Sequence, residues 1–284
     1  MQKLKIETQS GTLLDGVLFS QTPSKTVIIA ITGIHGNFYS NPFYYNIGHT
    51  LSQSGIDFIY AQTRNAFGKT DFVNPKTGQP ESIGSWNEDF AKTIEDLTAY
   101  VDFAEQKGYQ HIVLAGHSLG ANKVIHYLAE TQDKRVAKFI LLSPANVTHL
   151  TNAISEQQRA YIRHQVEKGN SQRLLPFELF GWLPCIADTA FQWLYSPLLN
   201  NVHVEPNSDF SQVAKIQHTG ALLIGTLDRF TYGDPPGFLR NINNHFQSAD
   251  KNTLIFIENT GHTYQQKEQE VADKLLDLVK DWGY

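Results

Sequence analysis

The sequence is poor in cysteine, in long apolar runs and in excess positive charge. Its 284 residues include one cysteine, Cys185, so no internal disulfide can form and a multi-cysteine zinc site is excluded. No stretch approaches the roughly 18 consecutive apolar residues of a membrane-spanning helix. The opening Met1-Gln2-Lys3-Leu4-Lys5-Ile6-Glu7 has no apolar core of the kind a signal peptide needs. A cytoplasmic protein with no membrane partner is expected, a secreted chain with its signal removed being the alternative. With 23 Lys and Arg against 28 Asp and Glu, the net charge is −5, which argues against a nucleic-acid partner. The histidines lack H-x-H or H-x-x-x-H spacing, and no dinucleotide- or phosphate-binding glycine pattern occurs, so neither metal nor organic cofactor is expected.

What remains is a globular composition, with 41% hydrophobic and 18% charged residues. At roughly 150 residues per domain the length allows one large domain or two modest ones. The apolar run at 27–31 reads as a strand buried on both faces, and 56–60, 111–115, 138–143, 221–226 and 253–257 as further strands. Residues 4–8 and 13–19 read as two strands joined by a turn at Ser10-Gly11. Helices are expected from Asn41-Pro42 to near Gly55, and from a capping box at Ser85-Trp86-Asn87-Glu88 to near Gly108. Two more are expected at 119–131 and 264–282, the last with Val271, Leu275, Leu278 and Trp282 along one face. Between the strand at 56–60 and the helix opened at Ser85 lies a long loop, 61–84, of a length that is unusual unless functional. Strands alternating with helices imply an α/β fold with a mostly parallel central sheet and helices on both faces. The alternation fails over 146–217, which reads as a helical insertion after the sixth strand.

The chemistry concentrates in Gly116-His117-Ser118-Leu119-Gly120, a G-x-S-x-G between an expected strand and helix. A serine on such a sharp turn stands at the carboxyl end of the sheet, beside a helix amino terminus. Serine is a poor nucleophile alone, so a base is required. His262 follows the last strand and opens at the same end of the sheet. Asp228 follows the penultimate strand and completes the chain order Ser…Asp…His. Asp234 is a rival acid that fits a turn or helix start, and Asn146 cannot supply the charge. Acyl transfer also needs donors for an oxyanion. One is the Leu119 N–H; the other comes from Thr32-Gly33-Ile34-His35-Gly36-Asn37, through Ile34 if Gly33 ends the strand or Asn37 if His35-Gly36 is the turn.

Through 116–120, Asp228 and His262 the chain resembles the α/β-hydrolase superfamily over nearly its whole length. More narrowly it is similar to a branch that includes fungal siderophore esterases. The stretches that carry this are Leu174-Leu175-Pro176, Asn207-Ser208-Asp209-Phe210-Ser211 and Gly33-Ile34 with Pro42-Phe43-Tyr44. His35 stands where that branch commonly has an acidic residue. The resemblance implies an α/β-hydrolase core at 1–145 and 218–284 and a helical cap at 146–217.

Aromatic residues gather in that insertion: Phe177, Phe180, Trp182, Phe191, Trp193 and Tyr195. They either line a substrate pocket or pack the insertion onto the core. His35 and Asn37 are further pocket candidates. Arg64 could meet a substrate carboxylate or tie its own loop down. The expected activity is serine-dependent hydrolysis of small carboxylic esters. Thioesterase, amidase, lactonase and acyltransferase chemistry would use the same residues, and a ligand-binding protein on a hydrolase fold is the rival of another class. Substrate identity and oligomeric state, a homodimer included, are left open.

Overall fold

Residues 1–284 are described by a computed structural model. Its first two strands, β1 (Gln2–Glu7) and β2 (Leu13–Phe19), pair antiparallel as the turn at Ser10-Gly11 requires. They are followed by β3 (Thr26–Ile31), α1 (Phe43–Gln53) and β4 (Asp57–Ala61). A separate antiparallel hairpin is made by β5 (Thr70–Val73) and β6 (Pro80–Ile83). Then come α2 (Thr93–Gln106), β7 (His111–His117), α3 (Leu119–Thr131) and β8 (Val136–Leu142). Four short helices follow: α4 (Val147–Thr151), α5 (Glu156–Glu167), α6 (Ala187–Tyr195) and α7 (Ser211–Lys215). The chain ends with β9 (Gly220–Gly225), α8 (Pro235–Asn244), β10 (Thr253–Ile257) and α9 (Glu268–Asp281).

Eight strands form one sheet in the order β1-β2-β4-β3-β7-β8-β9-β10, parallel from β4 onward. Strand β3 lies near its centre, and its alternation shows how both faces are covered. Val27, Ile29 and Ile31 enter the core beneath α2, α3 and α8, where Leu97, Tyr100, Val124, Leu128 and Leu239 meet them. Ile28 and Ala30 point the other way, toward Phe43 and Ile47 of α1 and Val271 and Leu275 of α9. A third apolar cluster joins residues of 146–217, including Leu179, Leu183 and Trp193, to Phe90 and Leu119 of the sheet-bearing part. Cys185 is buried there with its thiol free, and burial pushes that thiol up to about 12. No helix is long and apolar enough to cross a membrane.

Several local expectations are corrected. The region 61–84 is not a structureless loop, because β5 and β6 form within it. No capping box opens α2. Residues 85–87 and 90–92 are single 3-10 turns, and the α-helix begins only at Thr93. The reason is tertiary: the Glu88 side chain is drawn inward to pair with Lys123, at 2.7 Å, instead of turning back to Ser85. Asn41 does not cap α1 with its side chain, since Pro42 takes the N-cap position. α9 starts at Glu268, four residues later than its pattern suggests, because Tyr264 is held in a left-handed turn with its hydroxyl on Ser143. α8 was not expected as a helix, though Asp234, read as a turn or helix start, caps it by accepting from the Gly237 N–H at 2.9 Å.

Glu95, at the start of α2, accepts from the Ser10 N–H at 2.6 Å and from Arg64 Nη2 at 3.0 Å. Burial alone would raise its pKa, but the Ser10 bonds and the Arg64 charge outweigh it and hold the carboxyl down at about 2. Against an unfolded value of about 4.3, this carboxylate stabilises the fold above that pH and stops doing so as pH falls toward 2. Glu95→Gln should therefore cost about 1 kcal/mol at pH 7, solvent screening at its rim keeping it that small. Urea unfolding of both proteins should show the difference shrinking between pH 4.5 and 2; a constant difference would contradict it.

Candidate active site

One residue separates β7 from α3. Ser118 has φ 56 and ψ −128, a conformation that side-chain-bearing residues avoid and that costs about 1–3 kcal/mol where it persists. Its neighbours explain how the chain tolerates it. A Cβ on Gly116 would lie 2.2 Å from the Gly120 carbonyl oxygen, and one on Gly120 would lie 2.3 Å from that of Ile31. The strand, the turn and the helix pack backbone against backbone, and only glycine fits at either side. The Ser118 side chain emerges at the carboxyl end of the sheet, at the amino terminus of α3.

His262 and Asp228 arrive at that end from the loops after β10 and β9. Nδ1 of His262 lies 2.8 Å from Asp228 Oδ2. A carboxylate only accepts, so Nδ1 carries a proton and the ring is oriented with Nε2 away from Asp228. Asp228 is almost wholly buried, at 2% exposure, and its other oxygen accepts from the Phe230 N–H at 3.0 Å. Burial would raise its pKa, but the His262 hydrogen bond and charge, helped by Phe230, hold it below the usual carboxylate value. Phe230 also packs edge-on against the His262 ring, with centroids 4.6 Å apart.

His117 fixes the same loop from below. Its Nε2 lies 2.7 Å from the His262 carbonyl oxygen, so that nitrogen donates. Burial and the nearby His262 push its pKa down to about 3, against the smaller pull of that bond and of Asp228. Tyr264 adds a second tether, with its hydroxyl 2.8 Å from Ser143 Oγ at the end of β8. Neither residue was singled out from sequence; His117 is visible only as the variable position of the G-x-S-x-G.

The loop after β3 reaches over the serine. A Cβ on Gly33 would stand 3.0 Å from Ser118 Cβ and 3.4 Å from the Leu119 nitrogen. The N–H groups of Ile34 and Leu119 have no acceptor within the protein, whereas the Asn37 N–H donates to Ser40 Oγ at 3.1 Å. Beside them opens a cavity of about 220 Å³, bounded among others by Gly33, Ile34, Ser118, Asn146, Trp182 and His262. Ala145, Leu150 and Phe230 supply more of its apolar wall, and Ser40, Asn41 and Thr263 its polar edge. Ser118 and His262 thus share one small chamber with two free backbone donors nearby. Such an arrangement can activate a hydroxyl and hold a developing negative charge.

Most other pocket candidates lie elsewhere. Arg64 does not border the cavity; it is locked to Asp96 at 2.7 Å and Glu95 at 3.0 Å, and it ties its own loop to α2. His35 points to Ser85 Oγ, at 2.8 Å, and Asn37 is buried in its own turn through Tyr39 N–H. Phe180 and Trp193 stack edge-on, Trp193 meets Phe90, and Phe177 meets Tyr161, all within the apolar cluster beneath 146–217. Of the aromatic residues named in that segment only Trp182 reaches the cavity. Asp234 caps α8, and Asn146 donates to the Phe230 carbonyl at 3.2 Å.

A family described as serine aminopeptidase, S33, matches residues 23–173, more than half of the chain. No curated protein matches the chain in sequence. Among solved structures, Est1E from Butyrivibrio proteoclasticus is similar with a TM-score of 0.65 and 17% identity, over 99% of this chain and 98% of that one. The α/β hydrolase GrgF from Penicillium sp. sh18 is similar at 0.68 and 16%, again over 99% and 98%. An esterase of Pyrococcus furiosus is similar at 0.62 and 17%, over 99% and 90%. At these identities the likeness speaks for the fold, which is that of the α/β hydrolases.

The close approach at Gly120 generates a direct test, with Gly261 as its control. Gly120→Ala forces a Cβ into backbone and should lower stability by several kcal/mol, or abolish soluble protein. Gly261→Ala, whose nearest neighbour would be 3.7 Å away, should melt within a few degrees of the parent. Equal melting temperatures for the two variants would contradict the close approach.

Proposed function

The chain belongs to the serine aminopeptidase, S33, family of hydrolases, and from that premise we propose that it is a serine hydrolase of small carboxylic esters. The observation that carries this is the shared chamber of Ser118 and His262, with Asp228 2.8 Å behind the imidazole. Ser118 is the nucleophile, His262 the base and Asp228 the acid that fixes its tautomer. His262 Nε2 takes the Ser118 proton as Oγ attacks the ester carbonyl. The Ile34 and Leu119 N–H groups receive the oxyanion, and Ile34 is favoured over Asn37 because the Asn37 N–H is already engaged by Ser40. The alcohol leaves with the proton from His262, and water then releases the acid from the acyl-enzyme.

The cavity wall argues for an ester rather than a peptide amino terminus. A free α-amino group is an ammonium ion near neutral pH, and no aspartate or glutamate lines the cavity to receive it. No lysine or arginine lines it either, so the acyl part is uncharged. A chamber of about 220 Å³ walled by Ile34, Leu150, Trp182 and Phe230 suits a short acyl chain or a single ring. Residues 146–217 act as a cap on a core formed by 1–145 and 218–284: Asn146, Leu150 and Trp182 from this segment reach the cavity. Trp193, packed edge-on against Phe90, helps hold the cap to the core.

Fluorophosphonate labelling should be strong in the parent and absent in Ser118→Ala; undiminished labelling would overturn the assignment of the nucleophile. Asp228→Asn should keep the fold and lower kcat about 1,000-fold or more. A kcat within tenfold of the parent would exclude Asp228 as the acid. Across p-nitrophenyl and aryl esters, feruloyl included, kcat/KM should be highest for short or single-ring acyl groups and fall for chains beyond the cavity's reach.

A further inference from the structure

Beneath the serine lies a charged pair that the proposed reaction does not use. Lys123 Nζ and Glu88 Oε1 are 2.7 Å apart, and each side chain is 2% exposed. Removing two charges from water is costly, and a buried pair of this kind is often replaceable by apolar residues without loss of stability. What the pair does for the site follows from the residues it engages. Lys123 Nζ donates to Thr63 Oγ1 at 3.1 Å, and Thr63 Oγ1 donates to Asn65 Oδ1 at 2.8 Å. The other end of Asn65, Nδ2, donates to Glu88 Oε2 at 3.1 Å and to the Gly33 carbonyl oxygen at 3.2 Å. The carboxylate can only accept and the hydroxyl's proton is directed at Oδ1, so the network fixes which way the amide faces.

We infer that Asn65, held by the Lys123–Glu88 pair, is a positioning residue that aims the Ile34 N–H at the oxyanion. This rests on the ester-hydrolase reading above. The peptide joining Gly33 to Ile34 is planar and trans, so its C=O and N–H point in opposite directions. Pinning the Gly33 oxygen on Asn65, with the Gly36 N–H as second donor at 3.1 Å, turns the Ile34 N–H away from Asn65 and toward the chamber. Gly33 already abuts Ser118 and the Leu119 nitrogen. A flipped peptide would remove a donor and set a carbonyl oxygen against the developing charge. Lys123 stands one helical turn after Leu119 on α3. The same ion pair therefore references both oxyanion donors, one through Asn65 and one through the helix itself.

The test is Asn65→Ala, assayed on a short p-nitrophenyl ester, with rates counted per site labelled by saturating fluorophosphonate so that unfolded protein does not enter. The expected result is a kcat lowered about 30- to 100-fold with KM changed less than about threefold. Inhibition by an alkyl trifluoromethyl ketone, which binds as a tetrahedral oxyanion, should weaken by a similar factor. A merely structural asparagine would lower the melting temperature but leave kcat per labelled site and ketone affinity unchanged; that result overturns the inference, as does a change in KM alone. Should Asn65→Ala not fold, Asn65→Ser is read by the same ratios. If the parent is not labelled, or Ser118→Ala still is, the ester-hydrolase reading fails first and separately.

Discussion

The structure turns on a crossing of backbones at Ser118. A strand, a one-residue turn and a helix meet so closely that Gly116 and Gly120 admit no Cβ, while Gly33 from the neighbouring strand's loop stands against the serine itself. The contacts at Gly116 and Gly120 are between main chains, so neither can relax by a side chain moving aside. The fold accepts the unfavourable φ of 56 at Ser118 because the two-faced core holds β3, β7 and α3 in place around it. Stability made in the sheet is stored as geometry at the turn.

From that crossing the rest of the site is reached by tethers. His262 is held at Nδ1 by Asp228, at its carbonyl by His117 and through its loop by Tyr264. The Gly33 carbonyl is held by Asn65, which is in turn oriented by a buried ion pair. Buried polar networks are costly when incomplete, and this one satisfies each of the groups that matter. Residues 146–217 contribute an apolar cluster below and a few side chains to the cavity wall.

Much of this was legible in the sequence. Strand runs 27–31 and 111–115 survive with ends shifted by two residues or fewer, because continuous apolar runs leave a buried parallel strand little choice. G-x-S-x-G, Asp228 and His262 could be brought together from strand order alone, since parallel strands deliver their following loops to one end. The failures came where tertiary contacts override local signals. Glu88 looks like the last member of a capping box, yet a lysine 35 positions later in the sequence claims it. For Arg64 the sequence left open a substrate carboxylate or its own loop, and Asp96 and Glu95 settle it as the second. The aromatic residues of 174–195 carry no sequence mark that separates core from cavity, and only Trp182 reached the cavity. Asn65 and Lys123 gave no signal, since a lone amide and a lone lysine acquire meaning only through their partners.

The central claim is that Ser118 carries an acyl group during turnover. Rapid mixing with p-nitrophenyl acetate, followed by acid quench and peptide mass mapping, tests it most directly. The account predicts a burst of nitrophenol approaching one equivalent per active site, with an acetyl group on the peptide containing Ser118. Steady release with no burst and no adduct, or an adduct on another residue, would contradict it.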